Sequence, residues 1–492
     1  MGMPFYFFVY LIVLYSIRLF VSLTSGQRNT AEQELRRTFS KQNIGQYVVN
    51  KYIHISFFVL TSSLLFSQEV TVPKLTFPDS TYYVGQIIIV GNELTRNYIV
   101  EQEISLTKGS LITREAVHYD INRVYSLRLF TKVDIDVVPD SGNIASLVVT
   151  VNERWYFYPF PVGGIKDRDF EKIYYGLGLV HNNVGGNNVQ VYGAFALGYD
   201  PFVAINYTNP FIDYDNKIFL ALRAYYTEQR NRSIFSLSGA PNFDERRFGG
   251  HIRTGKRFSL FTLVSLSAEY LNLQVSNNLS GRTLSPSGRD EYFSLHALYV
   301  YDTRDLREYA SAGSYAAFSV SKYGLMEKDV DYQRYGFDAR KYFSIANNTV
   351  IAGRIFGNVA SGGIVPNYGH MFFGYSERIR GHFNTILEGE QIAGSTIEAH
   401  YPIVSPRYVR FDFIPFEQFR DMRYAVNVAA FADAGATWMR KNSVSLNNIY
   451  SGYGVGLHFL LAYSVVVRIE FGIPYEKNLS KGELILDFGA AL

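Results

Sequence analysis

From Arg154 onward, apolar and polar side chains alternate in runs of about ten residues, the signature of strands that cross a membrane as a barrel. Val189, Val191, Phe195 and Leu197 fall on one face, with Gln190, Tyr192, Ala194 and Ala196 on the other. Ile351, Ile355 and Val359 likewise oppose Arg354 and Asn358, and Val465, Val467, Ile469 and Phe471 oppose Arg468 and Glu470. Period two is that of a pleated strand, and charges confined to one face fit lipid outside and water inside. A soluble sandwich also alternates, but its strands are usually shorter and fewer. Strands are predicted to begin near residues 155, 174, 188, 201, 217, 246, 259, 291, 313, 332, 348, 391, 424, 450, 464 and 482. That makes sixteen, an even number, with adjacent strands antiparallel. Connections after odd strands then lie at one end and those after even strands at the other. Most long polar connections, Asn231–Glu245, Ser276–Arg289, Ala360–Glu390 and Gly435–Tyr450, share the odd end. Val404–Arg423, long at the even end, and Tyr199–Pro201, short at the odd end, break the pattern.

Residues 86–153 read differently. Gln86–Val90 is a β-branched run followed by a Gly91–Asn92 turn. A helix is predicted from Thr95, whose hydroxyl is suited to accept from a free backbone N–H. Gly109 separates it from a second helix with Thr113 as cap, where Val117, Ile121, Val124 and Leu127 share one face. Val133–Val138 and Ala145–Val151 close a β-α-α-β-β unit. Before it come two apolar runs, Phe5–Leu23 containing Arg18 and Ile53–Phe66 after Lys51. The second resembles a secretory signal, with Ser67 before polar Gln68 and Glu69, and a translation start near Val48 or Val49 would account for the residues preceding it. The alternative is a membrane anchor at residues 5–23. The expected organisation is an N-terminal extension and signal-like segment at 1–67, a linker at 68–85, the small α+β domain at 86–153 and the barrel at 154–492.

Composition agrees. Aromatic residues make up 16% of the 492 and glycine numbers 40, suiting half-buried strands and their bends. With 47 basic against 44 acidic residues and no long basic run, nucleic acid is not an expected partner. The absence of cysteine excludes disulfides, thiolate metal sites and a cysteine nucleophile. After the N-terminal runs, no segment offers eighteen consecutive apolar residues, so residence in a membrane must be as a barrel.

The sequences "IIIVGNELTRNYI", "RVYSLRLFTKVDIDV" and "LVVTVNER" resemble a POTRA domain of the bacterial surface antigen superfamily, the BamA/TamA family. The resemblance implies a mainly β protein, a 16-stranded antiparallel transmembrane barrel preceded by one POTRA domain, in the outer membrane of a Gram-negative bacterium. It further implies that the POTRA domain lies in the periplasm and binds incoming unfolded chains, partly by adding a strand to a sheet edge.

Ile379, Arg380, Gly381 and His382 resemble the family's VRGF-type loop motif, followed in order by "STIEAHYPI" and "FADAGATW". In the family this loop folds into the barrel and its arginine meets acidic groups on the wall; matched motifs make Glu398 and Asp433 the expected partners of Arg380. A planar guanidinium can satisfy two carboxylates, and Gly381 permits close backbone approach. His382 departs from the usual phenylalanine, although Phe383 follows. The final strand, "GELILDFGAAL", ends on Leu492 where many family barrels end on an aromatic. Family resemblance also implies a lateral seam between first and last strands, here with Trp155, Phe157, Leu484, Leu486 and Phe488, through which client strands enter.

The function these features imply is insertion or translocation of unfolded outer-membrane or secreted client proteins, in contact with outer-membrane lipid and with periplasmic or lipoprotein accessory factors. A dedicated two-partner-type secretion transporter and a passive porin are the alternatives; the former's relatives usually carry two POTRA domains, and the latter lacks the domain and the inward loop. No catalytic residue, metal ligand or cofactor is expected. The chain has no nucleophile elbow, HExxH or P-loop, and His181, His251, His296, His370 and His382 are scattered. Asp302, Arg304 and Asp305 in "YDTRD" read as turn residues, since turn aspartates ordinarily bond nearby backbone N–H groups.

Overall fold

The structure is a computed structural model, and it describes residues 68–70, 81–165, 171–235, 243–279, 281–327, 329–345, 348–412, 414, 420–442, 448–461, 465–475 and 482–489. The expectations for the signal-like segment, the alternative anchor and Leu492 lie outside the described residues.

The small domain comprises β1 (Tyr83–Val90), α1 (Asn97–Glu101), α2 (Arg114–Tyr125), β2 (Phe130–Ser141) and β3 (Ile144–Glu153). Its sheet order is β1-β3-β2, with β1 parallel and β2 antiparallel to β3. A parallel neighbour needs a crossover, and the two helices supply it while covering the sheet. Ile99, Val117, Val124, Leu129, Ile135, Leu147 and Val149 form the core. Thr113 caps α2, its side chain accepting from the Ala116 N–H at 3.1 Å. The expectation for Thr95 needs correction. Arg96 occupies the cap position of α1 without a side-chain bond, while Thr95 Oγ1 bonds Tyr156 Oη at 2.9 Å and accepts from Asn183 Nδ2 at 2.9 Å. Tertiary partners outcompete the local cap, because a buried hydroxyl must satisfy whatever polar groups surround it.

The barrel strands are β4 (Phe157–Ile165), β5 (Ile173–Val184), β6 (Val189–Gly198), β7 (Phe202–Asp213), β8 (Ile218–Arg230), β9 (Asp244–Arg257), β10 (Thr262–Val275), β11 (Arg289–Asp302), β12 (Gly313–Leu325), β13 (Tyr332–Ser344) and β14 (Val350–Gly362). A long connection containing the short hairpin β15 (Met371–Phe373) and β16 (Leu387–Gly389) leads to β17 (Gln391–Arg410), β18 (Asp421–Trp438), β19 (Tyr450–Leu461), β20 (Val465–Pro474) and β21 (Glu483–Phe488). The strand order is cyclic: β21 neighbours β4, and β8 pairs with β9. All sixteen strands begin within three residues of the positions read from the alternation. Val404–Arg423 is the main difference. β17 runs on to Arg410 and β18 begins at Asp421, so half of that apparent loop is strand.

Outward positions are apolar and exposed, among them Phe195, Leu197, Ile351, Ile355 and Val359. Arg468 and Glu470 lie on the inward face and are buried. Turns following the second, fourth, sixth and eighth barrel strands meet the small domain. Arg96 N–H donates to the Gly186 carbonyl at 3.0 Å, Tyr98 packs edge-on against Tyr214, and Arg123 lies over Phe261. Leu306, between β11 and β12, enters the small domain's core. The even end of the barrel is therefore the domain end, and the long odd connections lie at the other.

Candidate functional site

Ile379 and Phe373 anchor the base of the β14–β17 connection in a buried cluster with Ile392. Arg380 is thereby held inside the barrel. Its Nε and Nη2 form a fork on Asp433, at 2.7 Å to Oδ2 and 2.8 Å to Oδ1, and its backbone N–H donates to Oδ2 at 3.0 Å. Nη1 is shared between Glu398 Oε2 at 2.7 Å and Glu470 Oε1 at 2.8 Å. The Arg380 Cζ lies 3.6 Å from the centroid of Phe431, so the ring face covers the guanidinium. Arg380, Glu398, Asp433 and Glu470 are each at most 5% exposed. A charge so dehydrated is tolerable only when paired on all sides, and removing one member strands the others.

Backbone contact completes the seat. Gly381 has φ of 99°, and a Cβ there would lie 2.8 Å from the Ile473 carbonyl group. Gly452, on the facing wall, leaves no room for a methyl group: its Cβ would fall 2.0 Å from the Arg380 carbonyl oxygen. His382 is half-buried and packs edge-on against Tyr450, while Phe383 is the buried aromatic that follows it.

His458 was not singled out in the sequence, and Glu470 only as an inward charge on its strand. His458 Nε2 lies 3.1 Å from Glu470 Oε1 and Nδ1 lies 2.9 Å from Tyr309 Oη. A neutral imidazole meets both with one tautomer, Nε2–H donating to the carboxylate and Nδ1 accepting from the phenol. Tyr309 also packs at a tilt against His400, with centroids 4.6 Å apart. Glu398, His458 and Glu470 have donor atoms within 4.8 Å of one another, within reach of a metal ion. The Arg380 guanidinium already lies on both glutamates, so a dication would have to displace it.

A second cluster joins the domain to the barrel. Glu103 accepts from Arg123 at 2.6 Å and from Arg257, the last residue of β9, at 2.7 Å, with Arg307 3.8 Å away. Burial opposes the charge on Glu103, but Arg257, Arg307 and Arg123 outweigh it and hold the carboxyl below its usual range. In the same turn Asp302 forks onto Arg304, with both contacts at 2.9 Å, and Asp305 accepts from the Ser311 and Ala312 N–H groups.

Trp155, Phe157, Leu484, Leu486 and Phe488 are exposed on the outer surface. Trp155 lies just before β4, and the three C-terminal residues lie on β21, the strand neighbouring β4.

A barrel with a lipid-facing apolar surface, preceded by one small α+β domain, is the class these features define. The Omp85 superfamily domain matches residues 183–490, and the surface antigen variable number repeat, the POTRA unit, matches residues 82–154. The chain belongs to the Omp85 superfamily and is of the BamA/TamA type with one POTRA domain among the described residues. It is 23% identical over 328 residues to the outer membrane protein assembly factor BamA of Nitratidesulfovibrio vulgaris, covering 61% of this chain and 38% of that protein. The chain therefore spans well under two thirds of that relative's length. Similar solved structures include Haemophilus ducreyi BamA lacking POTRA domains 1–3, at 16% identity and TM-score 0.49, covering 83% of each chain. CdiB from Escherichia coli follows at 9% identity and TM-score 0.47, covering 87% of this chain and 92% of that one.

Proposed function

We propose that this protein inserts or translocates client proteins at the outer membrane of a Gram-negative bacterium, without covalent chemistry, and that client strands enter between β4 and β21. The observation that carries the reading is the shortness of the last strand among the described residues. β21 has six residues, against nine in β4 and ten in β20, so it offers few ladder positions where the cycle joins, which supports entry there. An incoming extended segment offers the same main-chain bonds without requiring a particular sequence. At the other end of the path, β1 and β2 are the edge strands of the POTRA sheet. Exposed Ile88 and Val90 on β1 add apolar surface to its edge, where an unfolded client can pair.

Depletion followed by outer-membrane proteomics tests this. Broad loss of barrel proteins supports insertion; loss of one secreted protein points to a dedicated transporter; an unchanged outer-membrane proteome and secretome overturns the proposal. Accessory lipoproteins or periplasmic partners would be recovered by crosslinking from the POTRA surface.

A further inference from the structure

We infer that Glu470 is a positioning residue that ties the inward loop to the last barrel strand, so that disengaging Arg380 loosens the β4–β21 seam. The inference deepens the proposed entry route and rests on it.

Short β21 is held by side chains at both ends. Near its start, the Glu483 carboxylate accepts from the backbone N–H of Phe383 in the inward loop, at 2.9 Å. Near its end, Arg468 Nη2 contacts Asp487 at 2.7 Å and Nε donates to the Gly489 carbonyl at 2.9 Å. The remaining nitrogen, Nη1, reaches Glu470 Oε2 at 2.9 Å. Glu470 therefore faces two ways. Its Oε1 serves the loop through Arg380 and the wall through His458, and its Oε2 serves Arg468. The two strand residues are two apart on β20, so the pleat puts both inside and lets one carboxylate bridge loop and strand.

The charge count makes the link sensitive. With Arg380 seated, the carboxylates of Glu398, Asp433, Glu470 and Asp487 share two guanidiniums, those of Arg380 and Arg468. When Arg380 leaves, Glu470 keeps only Arg468 as a cation and competes with Asp487 for it. Departure of the loop also removes the Phe383 donor from Glu483. Both ties on β21 weaken together, whereas Glu398 and Asp433, on β17 and β18, pair with Arg380 itself and not with Arg468 among the described residues. Glu470 is 1% exposed, while the Asp487 side chain is about a third exposed, so the chain of charges runs from the dry lumen toward the strand's end.

The test is hydrogen exchange on the full chain in lipid nanodiscs, read separately for residues 378–383 and 483–489. Glu470→Gln keeps shape and removes charge, and is expected to speed exchange about tenfold or more in both segments, as loss of charge-assisted bonds requires. Asp487→Asn, at a partly exposed site, is expected to speed exchange in 483–489 and also in the loop, which its side chain does not touch, because coupling is reciprocal. Faster exchange confined to β21 in Asp487→Asn, or confined to the loop in Glu470→Gln, overturns the link. If Glu470→Gln does not fold, Asp487→Asn alone decides. Exchange is measured without any client, so this result and that of the depletion experiment fail independently.

Discussion

In the barrel lumen one guanidinium, that of Arg380, is shared by the carboxylates of Glu398, Asp433 and Glu470; at the domain junction one carboxylate, that of Glu103, faces the guanidiniums of Arg123, Arg257 and Arg307. The charges are inverted and the surroundings differ. All four lumen groups are dry, but at the junction the Arg307 side chain is 45% exposed and that of Arg257 16%. Water can take over part of the pairing at the junction and none of it in the lumen. The lumen cluster is thus built to hold one loop position, whereas the junction tolerates adjustment of the POTRA domain on the barrel.

The largest expected effect follows from that difference. Arg380→Ala leaves three buried carboxylates facing one another and is expected to cost about 3–5 kcal/mol, the usual penalty for stranding a buried ion partner. Arg380→Lys keeps the charge but loses the fork on Asp433, and should fall between. Urea unfolding and heat-modifiable electrophoretic migration measure both; unchanged behaviour of Arg380→Ala would mean that the loop is not what holds the lumen together.

Next comes Glu103→Gln, which retains shape and removes the shared charge. With Arg257 and Arg307 partly solvated, the cost is expected at about 1.5–3 kcal/mol, that of hydrogen bonds to a charged group. It should appear as faster proteolysis of residues 81–153 with barrel migration unchanged. A loss as large as that of Arg380→Ala would erase the contrast between the two clusters.

The same carboxylate gives a pH test. Because the arginines lower its folded-state pKa, its contribution is fully present above the ordinary glutamate range near about 4.3 and is lost as pH falls through the lower folded value. POTRA protection is therefore expected to be flat from neutral to about pH 5 and to fall only at lower pH. Glu103→Gln removes that step, and the difference between the two profiles isolates it from general acid effects. A wild-type profile that falls already between neutral and pH 5 and stays flat in Glu103→Gln would contradict the lowered pKa.

How much of this was legible in the sequence depends on whether the signal is local. Strand positions were, because lipid on one side and packed polar groups on the other impose period two on every strand. Val467 and Ile469 therefore alternate with Arg468 and Glu470 whatever the partners are. Arg380, Glu398 and Asp433 could be nominated by motif order, and the structure places them in contact. Glu470 could not, since an inward charge on a barrel strand is ordinary until strand order brings it beside Arg380. The one cheap signal was that Arg468 and Glu470 sit two apart on a late inward face. His458 and Tyr309 meet across 149 residues, and Thr95 binds Asn183 across 88, separations at which no periodicity speaks. Thr95 was misread for this reason: its local chemistry suits a cap, and only the fold shows that two barrel residues claim the hydroxyl.

The smallest effect sharpens the contrast most cheaply. Arg128 Nε contacts Glu308, the residue after the Glu103 cluster's Arg307, at 2.7 Å across the same junction, but the arginine side chain is 46% exposed. The Glu308 side chain is only 7% exposed, but solvent reaches the arginine and the ordering of its long side chain offsets part of the pairing, so Arg128→Ala is expected to cost about 1 kcal/mol, less than Glu103→Gln. Proteolysis of the POTRA domain at several salt concentrations measures it. If Arg128→Ala loosened the domain as much as Glu103→Gln, the junction would be held by distributed pairs rather than by the shared Glu103 carboxylate. POTRA seating should then fall steadily with added salt; a seat centred on Glu103 should hold, because buried pairs are screened far less.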